Sequence, residues 1–285
     1  YHIIMNLFIT GASGFVGTNL LLNNDFLKKF KKIYCLTRKK NNKKINKKII
    51  WITGNLNSNL NRYFKKSDCL LHMAAHSTNR PYDNLYNCIK WNCLNSMNLI
   101  DRAFNEGIKR YIIIGTYHEY GFAGQFYKNK KTSTKSFCLP LSTYALSKSF
   151  FYQTIFSWSL GKDVSIKYLR LPHVFGDGEL KTRLWPQIKE NKLKKIKINN
   201  PNFMTNFINI KKLSKKLSNY IDFRKIKKNF FETINVLDKD MSLYNFAIKE
   251  RKLLKSNVKI IKSTDKKSLW KFLIPKNDKF SIKIK

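Results

Sequence analysis

The feature that most constrains this chain is a glycine-rich turn between an apolar strand and a helix near the start of the sequence. An apolar run over residues 3–10 ends at Thr10, and glycines follow at positions 11, 14 and 17. A short apolar run bounded by glycine indicates a buried strand. Gly11 permits a tight turn, Gly14 lets a pyrophosphate approach the backbone, and Gly17 allows the helix to pack closely on the strand. The helix N-terminus would face the anion, so this segment predicts a dinucleotide-binding turn.

Strand and helix signals alternate through the first half of the chain, which indicates a parallel sheet with helices on both faces. The sequence therefore predicts an α/β fold with a doubly wound parallel sheet. The predicted strands are Ile4–Thr10, Ile33–Thr37, Ile49–Thr53, Cys69–Ala74, Tyr111–Gly115 and Val164–Leu169. The predicted helices are Phe15–Leu22, Asn84–Gly107 and Ser142–Leu160, the last with Ser142 as its N-cap and Gly161 as its stop.

Tyr144 and Lys148 are the two residues whose spacing points most directly to chemistry. Positions i and i+4 share one face of a helix, so the two side chains can meet in one pocket. An ammonium about 4 Å from a phenol would lower the tyrosine pKa from about 10 and allow proton exchange with a carbonyl near neutral pH. The same spacing occurs at Tyr86–Lys90 and Tyr127–Lys131. Position favours Tyr144, because it opens the long helix that follows the fifth predicted strand.

The strongly basic composition raises an alternative from another functional class. The formal net charge is +39, with 56 Lys and Arg against 17 Asp and Glu. A charge of this size fits a module that binds nucleic acid. The lysines are nevertheless spread along the whole chain, and the dominant residue types are those with A/T-rich codons. We therefore interpret the charge as compositional drift that also attracts a nucleotide-diphosphate substrate, and we expect no nucleic-acid partner.

Cysteine usage and hydropathy indicate the cellular compartment in which the protein is expected. The five cysteines form no Cys-x-x-Cys pair, so the sequence indicates neither a zinc site nor a disulfide framework; they stand at positions 35, 69, 88, 93 and 138. No stretch approaches the roughly 18–20 apolar residues of a membrane span, and no secretion signal is evident. We expect a cytoplasmic protein with reduced thiols, no metal site and no membrane association.

The glycine spacing, the Tyr144–Lys148 pair and the segment Ile114–Gly121 make the sequence similar to the extended short-chain dehydrogenase/reductase family. This family contains NAD(P)-dependent nucleotide-sugar epimerases, dehydratases and ketoreductases. The resemblance runs from about residue 3 to about residue 270 and is weaker in the second half. It implies a Rossmann-like NAD(P)-binding domain at residues 3–170 and a smaller α+β substrate-binding domain at residues 171–285. Part of the segment near 203–213 is a candidate to return to the first domain.

The resemblance implies three catalytic residues. Thr116, in the sequence Ile-Gly-Thr-Tyr-His-Glu-Tyr-Gly, would hold the reacting oxygen while Tyr144 exchanges a proton with it and Lys148 holds the cofactor ribose. In family dehydratases an acidic or polar residue and then a glutamate follow this threonine directly. Here Tyr117 and His118 follow it. The motif is therefore more similar to the 4-ketoreductase branch of the family.

Cofactor and substrate contacts are carried over from the motifs that match. The implied cofactor-binding residues are Gly11, Ser13, Gly14, Phe15, Val16, Gly17, Arg38, Asn55, Leu56, Met73, Ala74, Ala75, Asn92, Tyr144, Lys148 and Pro172. The implied substrate-binding residues are His118, Glu119, His173 and Arg183. His118 is equally compatible with a packed loop histidine. Arg183 could replace a diphosphate-contacting arginine that is missing from residues 205–212, and the alternative, which the sequence favours, is a solvated surface residue.

The end of the second predicted strand bears on the choice of nicotinamide cofactor. NAD-binding proteins place an acid there for the ribose 2′-hydroxyl, whereas an arginine accommodates a 2′-phosphate. Residues 36–39 read Leu-Thr-Arg-Lys and contain no acid. The sequence therefore favours NADP. NAD is the alternative, because Arg38 and Lys39 also fit the general excess of basic residues.

These motifs together predict an NAD(P)-dependent oxidoreductase that acts on a nucleotide-linked sugar, in deoxysugar or surface polysaccharide biosynthesis. The favoured reaction is reduction of a 4-keto sugar. One alternative is a nucleotide-sugar 4-epimerase, which uses the same three catalytic residues. An alternative of another class is a non-catalytic Rossmann module that binds RNA. The resemblance further implies a homodimer formed through the helix bearing Tyr144 and the helix before it.

Overall fold

The fold is built from alternating strands and helices, and a computed structural model describes it for residues 5–41, 44–263 and 271–285. In chain order the strands are β1 (Met5–Thr10), β2 (Phe30–Thr37), β3 (Ile49–Thr53), β4 (Cys69–His72), β5 (Arg110–Thr116), β6 (Lys131–Thr132), β7 (Ser165–Leu171), β8 (His173–Phe175), β9 (Lys195–Ile198), β10 (Met204–Asn209), β11 (Phe230–Asn235), β12 (Lys239–Ser242), β13 (Lys259–Lys262), β14 (Phe272–Pro275) and β15 (Lys279–Lys283). The α-helices are α1 (Phe15–Leu21), α2 (Asn24–Leu27), α3 (Asn61–Phe64), α4 (Leu85–Ile89), α5 (Asn95–Asn105), α6 (Thr143–Ser159), α7 (Leu184–Glu190), α8 (Ile210–Tyr220) and α9 (Leu243–Leu253). Residue 4 of the first predicted strand lies outside the described ranges.

Eight strands form one large sheet in the order β15-β11-β7-β5-β4-β1-β2-β3. Every described neighbouring pair is parallel except β15 with β11. The chain moves outward from β1 to β3 on one side and then returns to β4 on the other. The strand order therefore reverses between β1 and β4, and ligands of such sheets bind at the carboxyl ends of the strands at this point. This topology confirms the predicted Rossmann-like, doubly wound parallel sheet.

Helices cover both faces of the large sheet and enclose two apolar cores. On one face, Leu20 of α1 and Leu213 of α8 pack against the sheet. On the other face, Leu99 of α5 and Phe151 of α6 do the same. Because both faces are covered, the central strands read as continuous apolar runs rather than as alternating patterns. The two layers hold the carboxyl ends of the strands in fixed positions, which is where the site lies.

The predicted helix Asn84–Gly107 is a composite of α4, a π-helical turn over Lys90–Leu94, and α5. In the π turn the Asn95 amide donates to the carbonyl of Lys90, five residues earlier. Such a turn inserts one extra residue into a helix and is common at functional sites. The turn carries Asn92, whose side chain is 1% exposed. Its position brings two segments of the site together, as described below.

The helix that carries Tyr144 begins as the sequence predicts. Ser142 is the N-cap of α6, and its hydroxyl accepts a hydrogen bond from the Ala145 amide at 3.1 Å. Serine at this position satisfies one of the amides that a helix start leaves unpaired. Gly161 has a φ of +73°, a conformation that glycine adopts readily, and follows the end of the helix. The cap and stop therefore fix the register of the two residues predicted to act in catalysis.

The second half of the chain does not separate cleanly from the first. β11 pairs in parallel with β7, and β15 pairs with β11, so both extend the large sheet beyond the proposed boundary at residue 171. α8 packs on α1, with the Ser214 hydroxyl donating to the Asn19 carbonyl at 3.0 Å. The open edge of β7 explains this return, because unpaired strand groups require partners. We therefore propose that the smaller domain consists only of those segments of residues 171–285 that neither join the large sheet nor pack on α1.

Those remaining segments form two small sheets beside the large one. One has the order β12-β10-β14-β6, with β8 also paired to β10, and the other pairs β13 with β9. Within the segment near 203–213, Met204–Asn209 lies in a small sheet, whereas the residues from Ile210 onward form α8 against the first layer. None of the helices in the described ranges has the length and apolar character needed to cross a membrane.

Candidate active site

A cavity of about 910 Å³ lies where the large sheet reverses its strand order. Most of the residues selected from the sequence line it: Gly11, Ser13, Gly14, Phe15, Val16, Gly17, Arg38, Asn55, Leu56, Met73, Ala74, Ala75, Thr116, His118, Tyr144, Pro172, His173 and Arg183. Asn92, Glu119 and Lys148 are not among its lining residues. The structure thus brings the glycine turn, Thr116 and Tyr144 to one cavity, whereas Asn92, Glu119 and Lys148 do not line it.

The glycine turn at one end of the cavity has no room for side chains. Gly11 has a φ of +73°, and a Cβ there would lie 2.6 Å from the Ala74 amide. A Cβ on Gly17 would lie 2.8 Å from the Ala12 carbonyl. The Thr10 hydroxyl accepts hydrogen bonds of 3.2 Å from the amides of Met73 and Ala74, which ties β1 to the segment after β4. The turn therefore leaves backbone exposed to the cavity, as the phosphates of a dinucleotide require.

The loop ends of β2 and β3 line the same side of the cavity through Thr37, Arg38, Asn55 and Leu56. The Thr37 hydroxyl lies 3.3 Å from the Ser13 hydroxyl and 3.1 Å from the Lys39 carbonyl, to which it donates. Arg38 is exposed at the cavity mouth. This arrangement fits the adenosine half of a dinucleotide, so these lining residues are compatible with the cofactor that the sequence implies.

Thr116 and Tyr144 form the reactive end of the cavity. Both side chains line the cavity, and Thr116 slightly lowers the pKa of Tyr144. Thr116 lies at the end of β5 and caps a short 3-10 helix, Tyr117–Glu119, where its hydroxyl accepts from the His118 amide at 3.3 Å. Tyr144 lies in the first turn of α6, and the Thr143 hydroxyl at the start of this helix donates to the Asp83 carbonyl at 2.7 Å. Two hydroxyls therefore converge where a substrate oxygen could lie.

Lys148 behaves differently from the sequence prediction. It is 1% exposed, and its Nζ donates to the Ile114 carbonyl at 2.9 Å. Burial lowers the pKa of Lys148 to about 8. Burial also raises the pKa of Tyr144, with smaller increases from Glu119 and Tyr82. The expected lowering of the tyrosine pKa by the lysine is thus not seen: removal from water is the largest effect on Tyr144, and the cation that lowers its pKa is Arg183.

Glu119, selected from the sequence as a substrate contact, lies in the interior. Its side chain is fully buried, and Arg170 donates to it through Nε at 2.7 Å. The carboxylate also accepts from the Thr116 amide and from the Tyr168 hydroxyl, both at 2.8 Å. These partners occupy both carboxylate oxygens, so the structure places Glu119 in the interior and not in the cavity where the sequence predicts a sugar contact. No local sequence pattern identifies Arg170 as its partner.

The far end of the cavity is organised by Arg183. Its guanidinium donates to Glu179 at 3.1 Å and to the Asn79 side-chain oxygen at 3.2 Å. It also lies 3.2 Å from Nε2 of His173. Burial lowers the pKa of His173 well below its usual value and lowers that of His118 to about 4, and Arg183 adds to both effects. This end of the cavity therefore carries one fixed cation beside two neutral imidazoles.

Asn92 acts on the protein itself. Its side-chain amide donates to the His76 carbonyl at 3.0 Å and to the Ser147 hydroxyl at 2.9 Å, and its oxygen accepts from the His76 amide at 2.6 Å. These bonds join the loop after β4 to α6. The residue selected from the sequence as a cofactor contact therefore holds the walls of the cavity together.

Sequence reasoning missed several residues of the loop after β4. Tyr82 lines the cavity and stacks on Tyr144, with ring centroids 6.0 Å apart and planes inclined by 15°. Asn79 and His76 of the same loop also line it, as does Trp91 of the π turn. The position of the loop at the carboxyl end of β4 is a signal for a binding segment. No sequence pattern shows which of its side chains turn inward. The described residues contain no cluster of three or more metal-binding side chains.

Comparisons with known proteins agree with this geometry. The model of the NAD dependent epimerase/dehydratase family matches residues 7–204. The UDP-N-acetylglucosamine 4-epimerase of Methanobrevibacter ruminantium M1, solved with UDP-N-acetylmuramic acid, has a TM-score of 0.79 and 21% identity, over 96% of this chain and 89% of that one. The UDP-glucose 4-epimerase of Thermotoga maritima, solved with UDP-glucose, has a TM-score of 0.78 and 13% identity, over 96% of this chain and 90% of that one.

A third structure, MoeE5 with UDP-glucuronic acid and NAD, has a TM-score of 0.79 and 17% identity, over 96% of this chain and 89% of that one. Identities this low show a shared fold. A comparison with curated proteins gave no match. The family match is the broader finding, because it spans more than half of the 285 residues and includes the glycine turn, Thr116 and Tyr144. The chain belongs to the NAD-dependent epimerase/dehydratase family of enzymes.

Proposed function

We propose that this enzyme reduces a nucleotide-linked 4-keto sugar with a nicotinamide cofactor. One observation carries the proposal: Thr116 and Tyr144 line the same cavity as the glycine turn. The cofactor supplies the hydride when it is bound. Three similar structures contain UDP-linked sugars, which supports a nucleotide-diphosphate sugar as the substrate class.

Tyr144 and Thr116 divide the work at the substrate oxygen. The Thr116 hydroxyl donates a hydrogen bond that orients the carbonyl, and the Tyr144 phenol supplies the proton that completes the alcohol. Burial raises the pKa of Tyr144, so the phenol is protonated at neutral pH and available as an acid. Lys148, with a pKa of about 8, remains largely charged at pH 7 and stabilises negative charge that develops on the tyrosine oxygen.

The carboxylates of the site argue against dehydration as the reaction. Elimination of water from a sugar requires an acid and a base at adjacent carbons. Among the described lining residues, Glu179 is the one carboxylate, and it pairs with Arg183. Tyr117 is 1% exposed and its hydroxyl accepts from Thr205 at 3.0 Å, so the place of the missing acid is filled by a packed phenol.

Arg183 is proposed as the anchor for the diphosphate of the substrate. Guanidinium groups bind phosphate oxygens well because their donors form a rigid fork. The contacts with Glu179, Asn79 and His173 leave further N–H donors on the two terminal nitrogens. Neutral His118 and His173 provide hydrogen bonds for sugar hydroxyls at the same end.

NADP is proposed as the preferred cofactor, since Arg38 lies at the cavity mouth where a 2′-phosphate would lie. The test is an Arg38→Asp variant, with Lys39→Asp as its control because Lys39 is not among the lining residues. We expect the ratio of KM for NADPH to KM for NADH to rise at least roughly tenfold in Arg38→Asp alone, through loss of one charge-assisted contact. An equal change in both variants would show a general charge effect.

The decisive experiment follows oxidation of NADPH and NADH with a panel of nucleotide-linked 4-keto-6-deoxy sugars. We expect wild-type turnover that Tyr144→Phe reduces by at least roughly a hundredfold, as loss of an acid catalyst does. Tyr86→Phe is the matched control, because Tyr86 also precedes a lysine by four positions but is 70% exposed. Equal activity of Tyr144→Phe and Tyr86→Phe would refute the assignment.

A nucleotide-sugar 4-epimerase is the second candidate, favoured by the two similar structures that are 4-epimerases. It predicts purified protein with tightly retained NAD and interconversion of C4 epimers without added cofactor. A homodimer through α6 and the preceding helical segment is also proposed, since Phe150 and Tyr86 are exposed there. Sedimentation of Phe150→Lys against wild type tests it, and a wild-type monomer would exclude it.

A further inference from the structure

A buried ion pair lies directly beneath the reactive end of the cavity. Glu119 and Arg170 are 0% and 1% exposed, and their side chains are joined at 2.7 Å. Arg170 also donates to the Tyr120 hydroxyl at 2.9 Å, which in turn donates to the side-chain oxygen of Asn235 at 2.8 Å. Removal of two charges from water is costly, and a chain retains such a pair only where its hydrogen bonds are satisfied. Both charged side chains have hydrogen-bond partners within this network, as a buried ion pair requires.

The carboxylate fixes the turn that presents Thr116. Glu119 accepts from the backbone amide of Thr116, while the Thr116 hydroxyl accepts from the amide of His118 in the same turn. Tyr168 supplies the third hydrogen bond to Glu119, and it reaches the carboxylate across Gly115. A Cβ at Gly115 would lie 2.6 Å from the Tyr168 hydroxyl. Glycine at position 115 thus leaves space for the Tyr168 phenol, which helps to hold the Glu119 carboxylate in place.

The same pair supports the helix that carries the other two catalytic residues. The Arg170 guanidinium lies 4.2 Å from the ring centroid of Tyr152 and 4.5 Å from that of Tyr120. Tyr152 follows Tyr144 and Lys148 at spacings of four residues, so all three project from one face of α6. A guanidinium over aromatic faces is a stabilising contact. The ion pair therefore contacts α6 as well as the threonine turn.

The charge of Glu119 also acts on both catalytic side chains. The titratable groups that interact with Lys148 are Glu119 on the turn after β5, Cys93 on the π turn and His72 on β4. His72 is buried, and its pKa is lowered to about 3, so it is neutral. Burial raises the pKa of Cys93, so the thiol is also neutral at pH 7. Among the described groups that act on Lys148, Glu119 is thus the one carboxylate.

We propose that Glu119 is a positioning residue, whose buried carboxylate holds the Thr116 turn in place and provides the counter-charge for the Lys148 ammonium. The inference rests on the proposed function for its catalytic consequence. Tyr144 is affected as well, together with the neighbouring groups Tyr82 and Arg183. Loss of the carboxylate lowers the pKa of Lys148 and of Tyr144, and so moves the alkaline limit of the reductase reaction to lower pH.

The test compares Glu119→Gln with Glu232→Gln. Glu232 is a matched control, because it is 2% exposed in the same sheet and pairs with Lys279 at 2.7 Å, outside the cavity lining. We expect Glu119→Gln to lower kcat/KM at pH 7 by roughly ten- to a hundredfold and to move its alkaline limb down by on the order of one pH unit. Glu232→Gln should leave the alkaline limb of the kcat/KM profile unchanged.

A second measurement does not depend on turnover. The Lys148 ammonium is titrated through its ε-carbon by NMR, with Lys148→Met to assign the signal. We expect a lower titration midpoint in Glu119→Gln than in wild type, and an unchanged midpoint in Glu232→Gln. If no nucleotide sugar is turned over but the midpoint falls, the proposed function fails and the electrostatic role stands. If turnover occurs and Glu119→Gln moves neither the alkaline limb of the pH profile nor the Lys148 titration midpoint, the inference is overturned.

Glu119→Gln leaves the buried charge of Arg170 without its partner, which is destabilising. The double variant Glu119→Gln/Arg170→Met removes both charges and should fold, since replacing a buried pair by apolar groups is often tolerated. It should show a smaller fall in the Lys148 midpoint, because loss of the Arg170 cation partly offsets loss of the carboxylate. Failure of both variants to fold, with Glu232→Gln folded, would assign the pair a purely structural role and overturn the inference.

Discussion

Gly115→Ala is the substitution for which the structure gives the clearest expected cost. A Cβ at this position would overlap the ring of Tyr168 and lie 2.6 Å from its hydroxyl. Overpacking a core costs about 1–3 kcal/mol. Displacing the phenol also breaks its 2.8 Å hydrogen bond to the Glu119 carboxylate, which is worth about 1.5–3 kcal/mol. The two costs together predict a loss of roughly 3–6 kcal/mol in the free energy of unfolding.

Urea denaturation measures this loss, with Gly124→Ala as the control. The nearest atom to a Cβ on Gly124 is the Phe272 carbonyl at 3.4 Å, so that variant should lose less than about 1 kcal/mol. Combining Gly115→Ala with Tyr168→Ala removes the obstructing ring, and the double variant should lose less than the sum of the single losses. Equal stability of Gly115→Ala and Gly124→Ala would refute the packing of Tyr168 against Gly115.

Three further substitutions test other parts of the site. Arg183→Gln should raise KM for the nucleotide sugar by at least roughly tenfold with little change in KM for the cofactor, and equal changes in both would place Arg183 elsewhere. Lys148→Met should stabilise the fold, with the largest gain near pH 7 and a smaller gain as pH rises from about 8 towards 10.5. In that window the unfolded lysine binds more protons than the folded one, so the stability of the wild type rises with pH. A gain in urea denaturation that does not change with pH would contradict the lowered pKa. Tyr82→Leu should lower kcat several-fold through loss of the stacked ring on Tyr144, and unchanged kcat would remove Tyr82 from the site.

The glycine turn and the Tyr144–Lys148 spacing were predictable because each depends on local geometry. Three glycines between a strand and a helix allow few arrangements, and residues four apart on a helix share a face. The N-cap at Ser142 is local in the same sense. The order of the parallel strands around β1 follows from their alternation with helices. These local features are sufficient to predict a binding site at the carboxyl ends of the central strands, where the cavity lies.

The rest depends on partners that are distant in sequence. Arg170 lies 51 residues from Glu119, and nothing in the spacing links them. The pairing of β11 with β7 similarly joins residues that no local pattern connects. The pKa of Tyr144 was misjudged because its direction depends on burial, and burial is a property of the folded chain. The stacking of Tyr82 on Tyr144 depends on the course of a loop, which periodicity does not describe.

The π-helical turn at Lys90–Leu94 has a consequence for how this chain tolerates insertions and deletions. Deleting one residue there would restore a regular helix and leave the segments on either side in nearly their present orientation, because the turn accommodates its extra residue locally. Asn92 would then leave His76 and Ser147, and the walls of the cavity would lose their shared clamp. An alignment with relatives that lack the turn should open a single-residue gap within these five positions, and a chimera joined across it would need to keep the extra residue.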